Sequence, residues 1–366
     1  MIKGVTIPKK NNFYLDLLRI VACLCVVGIH TEDGGLILNR IARLGLPLFF
    51  LLSGYFLLPK CDDEHVGSFY YQRFMKILIP FLCYGVFYGC WIFQTGRILA
   101  KPTLENVWGA VRYIPNSVID NLYQPIYFHF WFMFSLIGLY LLFPFLAQGL
   151  KAFSDKGLMG LMMLLLVLEG LNDFLPAFGK VFSYGMEFGW IIYAIFGYAF
   201  TREYFKERFK WFFGVGIIAF ALQIVVLGKL PGFSALIAHQ DDLNPWEVLA
   251  VCGVFVFFMI WSDWADQKGI DHSKDALGHV VHFLSAYTFS VYLIHGHVIT
   301  WWSRNGLLID LHISHVKLWW ILTVLCVFGL SLLFSIVFDN LIVVNVQRLA
   351  EWLNKKSTDC LRRIKV

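Results

Sequence analysis

Ten apolar runs, each long enough to cross a bilayer, leave this chain few folds to choose from. They cover about 13–31, 41–59, 74–95, 126–148, 157–175, 185–203, 211–230, 246–263, 280–303 and 317–342. A transmembrane helix needs roughly 17 to 25 predominantly apolar residues. In lipid every backbone N–H and C=O needs an internal partner, and a helix supplies one within a single segment. The expected fold is therefore all-α, a polytopic membrane bundle of about ten transmembrane helices. Composition agrees, since 58% of the 366 residues are hydrophobic and only 15% are charged, against about half and a quarter in a soluble protein. No polar block is long enough for a separate soluble domain, so 1–366 reads as one integral-membrane domain without an internal repeat.

The connections hold the polar and chain-breaking residues, as in PKCDDEHVGS at 59–68, QDDLNP at 240–245 and DQKGIDHSKDALG at 266–278. The longest, about 96–125, has room for short interfacial pieces. With the N-terminus in the cytoplasm, the segments on that side carry 20 of the 30 Lys and Arg, the opposite side carries 9, and Arg19 is the remaining one. Basic residues gather on the cytoplasmic side of membrane proteins, so both termini are expected there. The net charge of +5 follows from that orientation and does not point to nucleic acid. The first run is interrupted by Asp16 and Arg19 and lacks a small-x-small cleavage site, so it reads as a span and not as a signal peptide. The eight cysteines have no CxxC or zinc spacing and read as small packing residues.

The first run, YLDLLRIVACLCVVGIHTED, carries the chemistry. Eleven residues of α-helix turn through about 1100° and rise about 16 Å, so Arg19 and His30 share one stripe, three turns apart. An ionisable side chain within a membrane helix usually faces the bundle interior and marks a functional path. The competing view of each residue alone is plain: Arg19 snorkels to the inner headgroups and His30 caps the outer end.

Arg, ten residues, then His in the first membrane helix resembles the acyltransferase 3 family of integral membrane O-acyltransferases. Further pieces follow in order. RLGLPLFFLLSGYFL (43–57) resembles the family's second helix, and YYQRFMKILIPFL (70–82) its basic motif, usually Arg-x-x-Arg, with Arg73 and Lys76 here. FHFWFMFSLIGLYLLFPFL (128–146) resembles the fourth helix, and AYTFSVYLIHGHVI (286–299) the late Ser-Tyr-x-x-Tyr-Leu-x-His segment, with Thr288 at a position where Tyr or Ser is usual. The set is most similar to the branch that acetylates enterobacterial common antigen. The resemblance implies a multi-pass enzyme of the bacterial inner membrane. It implies transfer of an acyl group, usually acetyl, from acyl-CoA to a sugar hydroxyl of a surface polysaccharide or its lipid-linked precursor. Acetyl-CoA is then a cosubstrate, with no resident cofactor. The partners are membrane lipid, acyl-CoA and the glycan acceptor, and a homo-oligomer is compatible with the sequence.

The residues suit that reaction. A sugar hydroxyl is a poor nucleophile, and His30 has the proton affinity of a general base near neutral pH. Glu32, two residues on, is placed to orient the imidazole, with Asp33 beside it. Arg73 and Lys76, one α-turn apart, suit the donor's phosphates, although basic anchors at cytoplasmic helix ends are common. Arg19, deeper, is available to the donor arm or to a developing oxyanion. His129, Trp131, Glu187, Tyr292 and His295 are candidates for the acceptor site, while interfacial Trp and Tyr are also ordinary membrane anchors. No metal is expected: His295 and His297, two apart, point to different faces, and no acid or Cys completes His279 and His282. There is no Gly-x-Ser-x-Gly elbow, so direct transfer is simpler than an acyl-serine intermediate. The alternative reading is a transporter or flippase for a lipid-linked sugar or small solute, which buried Arg and His also serve.

Overall fold

The structure is a computed structural model, and it describes residues 12–31, 35–90, 128–174, 189–229, 243–304 and 316–364. Among these the chain is helical with no strand. Five helical stretches are long and apolar enough to cross a membrane: Leu36–Lys60, Trp131–Ala152, Pro245–Gln267, Ala276–Trp302 and Leu318–Lys356. Helix α1 (Phe13–Ile29), with 17 residues, stands at the lower limit for a span. The chain forms two compact units. One holds Met1–Val66, Phe134–Thr288 and Leu311–Cys326; the other holds Gly67–Met133, Phe289–Asp310 and Val327–Val366.

The first unit contains α1, α2 (Leu36–Arg43) and α3 (Gly45–Leu57). Helix α2 opens on Leu36, Ile37 and Leu38 and joins α3 at Leu44, so the second apolar stretch begins at residue 36, before the expected 41. Backbone meets backbone where α3 crosses a later helix, Ile191–Ala199. A Cβ at Gly54 would strike the main chain of Ala194, and one at Gly197 the carbonyl of Leu51. Small residues of this kind let membrane helices approach closely. Ser53, next to Gly54, donates to the Phe49 carbonyl at 2.8 Å and shares a hydrogen bond with the Tyr140 hydroxyl at 2.9 Å.

Several loops of this unit meet in pairs. Asn12 Nδ2 donates to Ser262 Oγ at 3.0 Å, and the Phe13 ring lies 4.3 Å from that of His272. Lys151 Nζ donates to the Cys61 carbonyl. Arg202 donates to the carbonyls of Leu150 at 2.7 Å and Phe153 at 2.8 Å, and to Asp155 Oδ1 at 2.9 Å. The Leu150 carbonyl belongs to the last turn of Trp131–Ala152, where helix carbonyls lack intrahelical partners. Each pair joins segments that the charge count assigns to the same side of the membrane.

The unit also holds the start of the long helix Ala276–Arg304. Asp275 precedes it and accepts from Gly278 N at 2.6 Å and from His272 Nδ1 at 2.6 Å. The Gly278 amide, followed by His272, holds the Asp275 carboxyl below the usual carboxylate range. A depressed carboxyl contributes stability above its unfolded value, near 4, and loses it as the pH falls through the folded value. We expect hydrogen-exchange protection of the Gly278 and His279 amides, which bond to Asp275, to hold at pH 5 and above, and to fall below about pH 4. Asp275→Asn should flatten that pH dependence.

In the second unit Pro80 shapes the local chain. It has no N–H, so the carbonyls of the preceding turn lose a partner. The backbone widens there into a π-turn over Phe74–Leu78, followed by Ile79–Cys90. Gln347 Nε2 donates to the Met75 carbonyl at 2.7 Å. A second π-turn, Asp339–Val343, joins Val316–Phe338 to Val344–Ile364. The sequence reading ends the last span at 342 and leaves a basic tail. The structure continues as helix to 364, and no Gly or Pro after Gly329 interrupts it.

Candidate active site

The site is built on α1. Asn12 caps this helix, accepting from Tyr14 N at 2.9 Å and Leu15 N at 3.1 Å. Asp16 lies in the first turn, and three residues later Arg19 falls on the same face. Arg19 Nη1 stands 2.5 Å from Asp16 Oδ1. Asp16 is buried and has two further donors from the helix Ala276–Arg304: His282 Nδ1 at 2.9 Å and Ser285 Oγ at 3.0 Å. The Arg19 guanidinium also lies 4.6 Å from the centre of the Phe56 ring on α3, within cation–π range. Arg19 thus sits between an acid and an aromatic face, as an interior cation should.

His30 follows the last residue of α1, and its N–H bonds to the Val27 carbonyl at 3.2 Å. Trp320 fixes this end of the helix. Its Nε1 donates to the Gly28 carbonyl at 3.3 Å, and its ring would lie 2.6 Å from any Cβ placed at Gly28. Arg19 and His30 therefore occupy opposite ends of one helix and do not meet directly. Glu32 and Glu187 lie outside the described residues.

In the second unit three of the sequence candidates converge. His129, the middle residue of the short 3-10 turn Phe128–Phe130, sits in a notch left by Gly296; a Cβ there would lie 2.7 Å from His129 Cε1. Tyr292 donates its hydroxyl to the His129 carbonyl. The rings of His129 and His295 stand 4.9 Å apart. His295 Nδ1 is 2.5 Å from the Tyr292 carbonyl, and His129 Nε2 is 3.3 Å from the Leu293 carbonyl. Carbonyls only accept, so His295 carries its proton on Nδ1 and His129 on Nε2. All three side chains are buried. Trp131, half-buried, begins the adjoining helix Trp131–Ala152.

Arg73 and Lys76 depart from expectation. Lys76 lies within the Phe74–Leu78 π-turn, so the two do not stack as one α-turn would place them. The Arg73 guanidinium lies 5.6 Å from the Phe69 ring centre, and Lys76 is exposed. The signal for this change, Pro80, was present in the sequence.

Sequence reasoning missed two acids. Asp16 was read only as an interruption of the first run, although its spacing from Arg19 marks an ion pair. Asp339 begins the second π-turn, where Tyr84 Oη donates to Oδ1 at 2.9 Å and Ser290 Oγ to Oδ2 at 2.5 Å. His282, weighed only as a metal ligand, is a partner of Asp16.

An apolar, multi-helical chain with a partly buried ion pair on its first helix and an imidazole at the end of it defines a membrane protein with polar chemistry inside it. The acyltransferase domain of the acyltransferase 3 family matches residues 12–339, and the chain belongs to that family. The match runs from the cap of α1 to Asp339, so it takes in both polar clusters. No curated protein and no solved structure matches the chain.

Proposed function

We propose that this protein is an O-acyltransferase of the bacterial inner membrane. It transfers an acyl group, by preference acetyl, from acyl-CoA to a sugar hydroxyl of a surface polysaccharide or its lipid-linked precursor. Enterobacterial common antigen, O-antigen and exopolysaccharide are the candidate glycans. The observation that carries this reading is an interior cation and an imidazole at the two ends of α1, in a chain of this family. About ten spans with both termini cytoplasmic accord with the charge count and with the pairing of loops in the first unit.

In this reading the acceptor hydroxyl oxygen bonds to the thioester carbonyl carbon as the C–S bond breaks. His30 takes the hydroxyl proton, with Glu32 orienting its ring, and the departing thiolate takes up a proton from solvent. Arg19, about three helical turns from His30, meets the arm of the donor and holds its thioester in line for the acceptor. A general base in this role supplies about a hundredfold to ten-thousandfold in rate, and a fixed cation on the donor arm adds orientation. His129, Trp131, Tyr292, His295 and Glu187 shape the acceptor site.

Arg73 and Lys76 meet the donor's phosphates from separate faces, as two point contacts. Arg73→Ala is accordingly expected to raise the KM for acetyl-CoA about tenfold while lowering kcat less than threefold. An unaltered KM would return Arg73 to the role of an interfacial anchor. The function itself is tested by mass analysis of envelope glycan from a deletion strain. Loss of an O-acyl group that the gene restores supports it, and an identical glycan overturns it.

A further inference from the structure

We propose that Asp16 is the positioning residue of Arg19, and that the helix Ala276–Arg304 sets its aim. The proposal rests on the acyltransferase reading of Arg19.

Asp16 has a short, direct contact with the guanidinium, and both carboxylate oxygens are also tied to a second helix: Oδ1 by Ser285 and Oδ2 by His282. Its side chain is 4% exposed, whereas that of Arg19 is 28% exposed. The acid is therefore the fixed member and the base the accessible one. An arginine has several rotatable bonds and loses rotamer freedom when held. A buried partner that is itself immobile removes that freedom before substrate arrives. Phe56 closes the other side, leaving the guanidinium one bounded sector in which to present its remaining N–H donors.

A carboxylate beside a cation has two opposed effects on an anionic donor. It weakens long-range attraction, and it fixes geometry. Loss of the acid should therefore lower turnover without weakening donor binding. A role confined to folding predicts neither half of that pattern.

The test measures acetyl transfer in membranes containing the full chain, with radiolabelled acetyl-CoA as donor and label in glycan as readout. Asp16→Asn is expected to lower kcat at least tenfold, with KM for acetyl-CoA unchanged or lower. In an Arg19→Gln background the same substitution should cost less than twofold, because nothing remains to be aimed. Ser285→Ala, which removes one donor and keeps the charge, should fall between, at about threefold. It also serves if Asp16→Asn does not accumulate. Additive losses in the double variant, or full kcat in both Asp16→Asn and Ser285→Ala, would overturn the positioning role. Full activity of Arg19→Gln alone would instead overturn the assignment of Arg19 to the reaction.

Discussion

Replacing His30 with alanine is expected to abolish acyl transfer while leaving the folded protein in the membrane. The local contacts explain why the two effects separate. His30 lies at the end of α1, and the N–H to Val27 carbonyl bond belongs to its backbone. Alanine keeps that bond. The end of the helix is held by Trp320 against Gly28, through the ring and through Nε1, and the substitution touches neither. Stability should change by no more than the roughly 0.5–3 kcal/mol of an ordinary point substitution, because these contacts at the helix end remain. Turnover should fall at least a hundredfold, the lower bound for removing a general base. The measurement pairs membrane abundance with label transferred from acetyl-CoA. Near-normal turnover by the purified variant would sink the assignment of His30 as base. His30→Gln adds a second comparison: it can hydrogen-bond the hydroxyl but cannot accept its proton, and should be as inactive as alanine.

The helical class and five of the expected spans were legible because apolar length is a strong signal and lipid leaves the backbone one local solution. The expected run 246–263 appears as Pro245–Gln267, and 280–303 as Ala276–Arg304. The errors arose where a single residue acts on the backbone. Pro80 widens the third run and moves Lys76 off the face that α-periodicity gives it. The absence of any breaker beyond Gly329 lets the final helix run past its apolar part. In the site, residues on one helix were readable from spacing, and this is how Arg19 and His30 emerged. Asp16 shares a face with Arg19, three residues on, but in the sequence it shows only as an interruption of the first run. Its meaning comes from His282 and Ser285, more than 260 positions away, and no periodicity within one segment reports such a pairing. The convergence of His129 with Tyr292 and His295 was likewise not derivable: the last two share one run and one face, but His129 comes from another run, and Gly296 supplies the notch that lets the rings meet.

Gly54→Ala should damage the protein more than any other single methyl group added to α3. The crossing of α3 with Ile191–Ala199 is a contact between main chains, and the new Cβ would be driven into the backbone of Ala194. Overpacking costs about 1–3 kcal/mol where side chains can yield. Here the obstacle is backbone in a packed helix, so the cost should reach or exceed the top of that range. The helices can only separate, and Gly197, which lies against the Leu51 carbonyl, leaves no nearby register of equal closeness. The expected outcome is a fall of at least about 5 °C in apparent Tm, or failure to accumulate. Gly138→Ala is the control: a Cβ there meets nothing within 4 Å, and alanine is the better helix former by about 1 kcal/mol, so its Tm should hold or rise. Equal effects at both positions would refute the close crossing. The consequence reaches the chemistry. Phe56 lies two residues beyond Gly54 on α3 and forms one wall of the sector that bounds Arg19. Any Gly54 variant that does fold should therefore lose turnover through a displaced guanidinium. That loss should shrink in an Arg19→Gln background, whereas the loss of Tm should persist there in full.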